Sequence, residues 1–236
     1  VTASSDQTFA LISDTSNNQI KKLILSTQEV SLFAGSPSLS YGTTNGVGSN
    51  ALFNSPNGIK LSPDNSYALV ADSNNNQIRK LIISTLQVTL FVGSSTGSSG
   101  NSNGVGSNSQ FRSPTSVDIS SDGSFALIVD RSNNQIRQII ITTQQVSLLA
   151  GGGSSGGVAG TADGIGSNAQ FSSPWGVSIS PDNSYALVAD YTYHLIRKII
   201  ISTSQVSLLA GQTSNGLTNG IGSNAQFKNP SGVSIS

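Results

Sequence analysis

The sequence offers little of the chemistry that enzymes use. It holds one histidine, His194, no cysteine, and 11 acidic side chains, of which Glu29 is the only glutamate. A Ser–His–Asp relay would have to run through His194, because an unactivated hydroxyl needs a base beside it. A zinc or iron centre needs several His or Cys ligands. Neither set is present, so no catalytic residue, no metal and no cofactor are expected. The Gly-rich stretch GGGSSGGVAG lacks the lysine of a phosphate-binding loop and reads as a flexible connector.

What the charged residues do show is order. Asp14, Asp72, Asp130 and Asp190 recur at intervals of 58, 58 and 60 residues, and Asp6, Asp64, Asp122 and Asp182 form a second column. Seven of the 11 basic residues fall in columns of their own: Lys21, Lys22, Arg79, Lys80, Arg137, Arg197 and Lys198. Such regularity is the mark of scaffold. An Asp in a turn accepts hydrogen bonds from nearby backbone amides, the role expected of Asp6 and its equivalents. An Asp that ends one strand and opens the next loop caps amides in the same way, the role expected of Asp14, Asp72, Asp130 and Asp190. Asp72→Ala should then cost on the order of 1 kcal/mol. The two columns fall at opposite ends of each repeat, so they do not build a metal site together.

These columns are positioned by four tandem copies of one unit. The segment LISDTSNNQIKKLILSTQEVSLFAG, beginning at Leu11, returns three times, and a glycine closes each copy at Gly35, Gly93, Gly151 and Gly211. A linking block, NGVGSNALFNSP in its first form, places Phe53, Phe111, Phe171 and Phe227 three residues before a proline. Within the fourth copy, Val177 and Ile179 alternate in a short first strand. Tyr185 to Ala189 is apolar on both faces, Ile196 to Ile201 follows, and Val206 to Ala210 closes the unit. Four short antiparallel strands cannot bury both faces alone, so neighbouring units must cover them. The fold expected is an all-β propeller of four-stranded antiparallel blades, with repeats at 1–57, 58–115, 116–175 and 176–231.

A strand ending in VAD, then Asn, IRKI and VSLLAG, with DGIGSNAQFSSPWGV between copies, resembles the NHL repeat. The resemblance spans the whole chain, although these repeats are longer than the family's unit, the excess lying in Ser/Gly-rich loops such as 36–50 and 151–168. NHL-like propellers commonly have about six blades. The resemblance therefore implies an array within a larger ring, with 232–236 as the first strand of a further blade. It also places His194 where such repeats often carry a loop histidine, and implies a structural role for it. NHL-like lyases bind metal through several histidines, which this sequence cannot supply.

Composition narrows the function classes. Charged residues are only 9 % of the chain and the formal net charge is zero, which argues against nucleic acid, whose phosphates demand clustered Lys and Arg. No apolar run approaches the roughly 18 residues of a membrane helix, so no membrane insertion is expected. Methionine is absent even from position 1, as expected of a processed chain or a segment of a longer one. A surface of Ser, Thr and Asn desolvates cheaply and suits contact with copies of itself, with other surface proteins or with glycan. Its Ser and Thr are candidates for O-glycosylation.

One cluster breaks the repeat. Copy four replaces SNNQ with Tyr191, Thr192, Tyr193 and His194, and puts the sole tryptophan, Trp175, where other copies have Asn57, Thr115 and Ser231. Trp175, Tyr191 and Tyr193 should share one end of one blade as a contact surface, or else repack their own loop. The expectation is a non-enzymatic extracellular or cell-surface module for assembly or adhesion. The alternatives are a ligand-binding or enzymatic propeller using the Trp175 end and, behind it, an RNA-binding NHL domain.

Overall fold

Each repeat is seeded by a turn whose side chains bond their own backbone. Ser62 Oγ donates to Asp64 Oδ1 at 2.6 Å, and the Ser66 N–H donates to the same oxygen at 3.0 Å, while Asn65 adopts a φ of 57°. Asp6, Asp122 and Asp182 repeat the arrangement, which bears out the turn role expected of this column. These bonds favour the charged carboxylate, and Asp64, Asp122 and Asp182 are each held down at about 2, with the seryl hydroxyl the largest cause.

The computed structural model describes residues 1–153 and 157–235. Residues 154–156 of the Gly-rich connector, and Ser236 at the end of the expected fifth inner strand, lie outside the described residues. Four antiparallel sheets follow one another along the chain. Sheet 1 comprises β1 (Thr2–Ala3), β2 (Phe9–Asp14), β3 (Gln19–Ile24) and β4 (Val30–Ala34). Sheet 2 comprises β5 (Gly46–Val47), β6 (Pro56–Leu61), β7 (Tyr67–Asp72), β8 (Gln77–Ile82) and β9 (Gln87–Val92). Sheet 3 has β10 (Gly104–Val105), β11 (Pro114–Ile119), β12 (Phe125–Asp130), β13 (Gln135–Ile140) and β14 (Gln145–Gly151). Sheet 4 has β15 (Gly164–Ile165), β16 (Pro174–Ile179), β17 (Tyr185–Asp190), β18 (Leu195–Ile200) and β19 (Gln205–Gly211). The helices among the described residues are single 3-10 turns of three residues, such as Ser73–Asn75.

The expectation of four strands per blade needs correction, because sheets 2, 3 and 4 have five. The extra strand is the Gly-Val or Gly-Ile pair of the linking block. It pairs with the outermost strand of the sheet that follows it, Gly46 opposite Val88 and Val47 opposite Gln87. The same connector then supplies that sheet's innermost strand, β6 against β7. One connector thus grips the next sheet at both edges. The closing glycine makes the exit possible. Gly93 has a φ of 110°, and a Cβ there would meet the Asn76 carbonyl oxygen at 3.0 Å, so only glycine fits the turn.

Successive blades are joined through their inner strands and their faces. The Leu61 N–H donates to Thr2 Oγ1 at 3.2 Å, and the Ile179 N–H to Asp118 Oδ2 at 2.7 Å. Between the sheets lie three apolar layers of one pattern. In the first, Leu11, Ile20 and Phe33 of sheet 1, with Phe53 of the connector, meet Ile59, Val70 and Val88 of sheet 2. Phe33 reaches this layer because it is the extra residue of a bulge, Ile20 pairing with Ala34 and Lys21 with Leu32. This is a propeller arrangement of four blades.

The segment expected to begin a further blade lies beside sheet 4. Residues 231–235 form no strand. They lie along β16, where the Ile235 N–H donates to Ser178 Oγ at 3.2 Å.

Candidate functional site

The Asp column that opens the loop after the second strand is a buried ion-pair hub. Asp72 and Arg79 are both fully buried and 3.0 Å apart. Asp72 also accepts the Asn54 N–H at 2.7 Å and Asn75 Nδ2 at 2.8 Å. Arg79 donates to the Leu52 and Thr44 carbonyls and to Asn45 Oδ1, and its guanidinium lies 5.6 Å from the Phe53 ring centre. The capped amide therefore belongs to the connector 18 residues earlier, not to the Asp's own loop as expected from sequence. Asp130 and Arg137 repeat the hub. In sheet 1, Lys21 stands at the arginine position, and among the described residues Asp14 bonds only Asn17 Nδ2. Burial is the largest influence on these carboxyls, and it raises Asp72 and Asp130 to about 6 and Asp190 to about 7 despite their donors.

Copy four alters this hub. Asp163 stands where other connectors have Asn45 and Asn103, and it takes Arg197 Nη2 at 2.6 Å. Arg197 is drawn away from Asp190 to 3.5 Å. Tyr193 replaces Asn75 and Asn133, so Asp190 lacks the amide donor that its equivalents have. Sequence reasoning passed over Asp163, although the Asn-to-Asp change in the linking block was visible.

His194 does a scaffold job. Asn18, Asn76 and Asn134 accept the N–H of Ser55, Ser113 and Ser173 through their side-chain oxygens, which ties each blade to the next connector. At the fourth position His194 Nδ1 accepts the Asn229 N–H at 3.1 Å. It shares their left-handed backbone, with a φ of 62°.

Trp175 and Tyr191 come together as expected, at the same end of sheet 4, where Pro174 pairs with Asp190. Their ring centres are 5.3 Å apart with planes at 36°. The third member of this group is Arg131 from blade 3, not Tyr193, with its guanidinium 4.4 Å over the Trp175 ring. Arg131 occupies the place of Thr15 and Ser73, whose hydroxyls donate to the Pro56 and Pro114 carbonyls at 2.8 and 2.5 Å. Arg131 lies on the indole instead. All three side chains remain partly exposed, and Arg131 Nε is buried without an acceptor.

The inner strands enclose a second feature that sequence reasoning missed. Lys60 Nζ and Asp118 Oδ1 are 2.8 Å apart in a cavity of about 300 Å³ that is otherwise lined by Ser116, Ser178, Ser234 and small apolar side chains. Asp118 also holds the Ile179 N–H, so this pair ties three blades together. Among the described residues, no three His, Asp or Glu side chains converge as a metal site.

No family model matches the chain, and no curated protein matches it. Solved structures do. An auxiliary nutrient binding protein from Bacteroides thetaiotaomicron superposes with a TM-score of 0.72 at 16 % identity, over 98 % of this chain and 52 % of that one. A protein in a nidogen/laminin complex gives 0.66 at 13 % identity, over 99 % and 66 %. An auxiliary nutrient binding protein from Bacteroides ovatus gives 0.62 at 12 % identity, over 95 % and 63 %. The chain spans about half the length of the first of these and about two thirds of the others. At such identities the likeness is one of fold, and the NHL resemblance rests on the repeat motif itself.

Proposed function

We propose that the chain is a non-enzymatic binding propeller of the NHL type, one arc of a larger ring, working outside the cell or at its surface. Its contact surface is the end of blades 3 and 4 around Arg131, Trp175 and Tyr191. The observation that carries this reading is the partly exposed stack itself, at a junction whose equivalent between blades 1 and 2 has the small polar Thr15, Asn57 and Ser73. An indole beside a guanidinium and a phenol offers a flat apolar face with donors at its rim. The partner such a surface fits is a saccharide, with a ring face on Trp175 and hydroxyls on Arg131. The weak charge of the chain and its hydroxyl-rich surface agree with a neutral partner, and no helix is long and apolar enough to cross a membrane. The descriptions of two structural neighbours as auxiliary nutrient binding proteins are in keeping with a binding role.

Binding to an immobilised panel of neutral oligosaccharides tests the proposal. Trp175→Ala and Tyr191→Ala should each lower affinity about 10-fold or more, the usual effect of truncating an aromatic anchor, with unfolding midpoints little changed. Lost stability with unchanged binding would mean that the rings only fill their loop.

A further inference from the structure

The turns between the first and second strands also tie one blade to the next. Between blades 1 and 2, the Ser5 N–H donates to Asn65 Oδ1 at 3.1 Å, and Asn65 Nδ2 donates to Ser5 Oγ at 2.7 Å. Between blades 3 and 4, the Ser121 N–H donates to Asn183 Oδ1 at 3.0 Å. Between blades 2 and 3 both halves of the tie are gone. Pro63 stands in the place of the serine and has no N–H to give, and Gly123 stands in the place of the asparagine.

The two departures face each other, since a Cβ on Gly123 would lie 3.8 Å from Pro63 Cδ. At this junction there is a cleft of about 280 Å³. Pro63, Tyr67 and Ile141 give it apolar walls, and one carboxylate from each blade, Asp64 and Asp122, lines it with them. Each aspartate commits its Oδ1 to the serines of its own turn. Neither Oδ2 takes a hydrogen bond among the described residues. Lys80 lies 4.1 Å over the Tyr67 ring and, among the described residues, pairs with neither aspartate, so two carboxylates face the cleft against one ammonium at its side. All of these residues fall between positions 62 and 141, so the cleft belongs to the interior of the array.

We propose that this cleft binds an arginine side chain of a protein partner. A guanidinium carries five N–H donors in one plane and serves both free carboxylate oxygens. Its flat face suits the Tyr67 and Pro63 wall, where the point charge of a lysine gains less. Two carboxylates are too few for a bound calcium ion, which takes roughly six to eight oxygens. The cleft lies at the opposite end of the blade from Pro114 and Asp130, and so from Trp175. It is therefore independent of the saccharide surface.

Fluorescence anisotropy of a labelled Ser-Gly-Arg-Gly-Ser peptide with the full chain tests it. Binding should be saturable and about 10-fold tighter than for the same peptide with citrulline, which keeps the shape and loses the charge. Sodium chloride at about 0.5 M should weaken it. Gly123→Asn restores the residue that Asn65 and Asn183 supply at φ of 57° and 60°, close to the 70° of Gly123. This variant should fold as the wild type does and lose the arginine peptide. Asp122→Asn, which removes a carboxylate and keeps the cleft open, should weaken the arginine peptide and leave the citrulline peptide unchanged. Circular dichroism confirms that each variant is folded. Equal binding of the arginine and citrulline peptides, or no saturable binding, overturns the proposal. So does a lysine peptide that binds as tightly, or folded variants that bind as the wild type does. None of these results bears on the oligosaccharide panel, which reads the other end of the blades.

Discussion

Arg79 and Arg137 are among the largest fully buried side chains of the molecule, and each sits against an equally buried Asp. A buried pair adds little net stability, but removing one partner strands the other charge in a place without water. Asp72→Asn should therefore cost about 3 to 5 kcal/mol, well above the single hydrogen bond that sequence alone suggested. Asp14→Ala, where no arginine is stranded, should cost under about 1 kcal/mol. Urea unfolding of the two variants checks the contrast, and equal losses would mean that the hub does not hold the connector. The Asp and Arg columns were legible as scaffold from their spacing. Their pairing across seven residues, and the reach of each Asp to an amide 18 residues back, were not, because both depend on the connector folding over the loop. Arg131 was overlooked for a related reason: it follows Asp130 in a variable position, and only the packing of blade 3 on blade 4 brings it over Trp175.

The turns between the first and second strands act as acid-sensitive elements. A carboxylate whose pKa is depressed on folding contributes stability above its unfolded value, and that stability is lost as pH falls through its folded value. For Asp64, Asp122 and Asp182 this window runs from about 4 down to about 2. The buried Asp72, Asp130 and Asp190 do not add to this window, because a proton on any of them leaves a buried arginine without its counter-charge. Thermal unfolding followed against pH should thus fall steeply below about pH 4. Asp64→Asn, Asp122→Asn and Asp182→Asn combined should flatten this acid limb and leave the behaviour near neutral pH unchanged. A triple variant with the wild-type acid limb would remove the turns from the account. Strands of this kind were readable from alternation and β-branched residues. The fifth strand was hidden because two residues, Gly and Val or Ile, carry no periodicity and pair only with a sheet that comes later in the chain.

Across the whole molecule, stability is a sum over blades and the layers between them. Leu81, Ile139 and Ile199 are fully buried in those layers, while Leu23 of sheet 1 is only partly covered. Ile139→Ala should cost about 2 to 5 kcal/mol, as large-to-small changes in a closed core do, and Leu23→Ala clearly less. Similar losses would mean that the end face of blade 1 is covered in solution. The number of repeats and the all-β class could be read from the sequence. The proposed contact end could be read only in part, since Trp175 and Tyr191 stood out as departures, whereas His194 departed too and yet belongs to the inter-blade tie, and Tyr193 stands where other blades have an amide donor of the hub. The junction of blades 3 and 4 is the proposed place of partner binding. Trp175 is the only tryptophan, so its fluorescence reports on that junction alone. Titration with an oligosaccharide that the chain retains should shift the emission and protect it from quenching by acrylamide, and Arg131→Gln should weaken both effects. Saturable binding that leaves the emission of Trp175 unchanged would place the contact elsewhere and contradict the account.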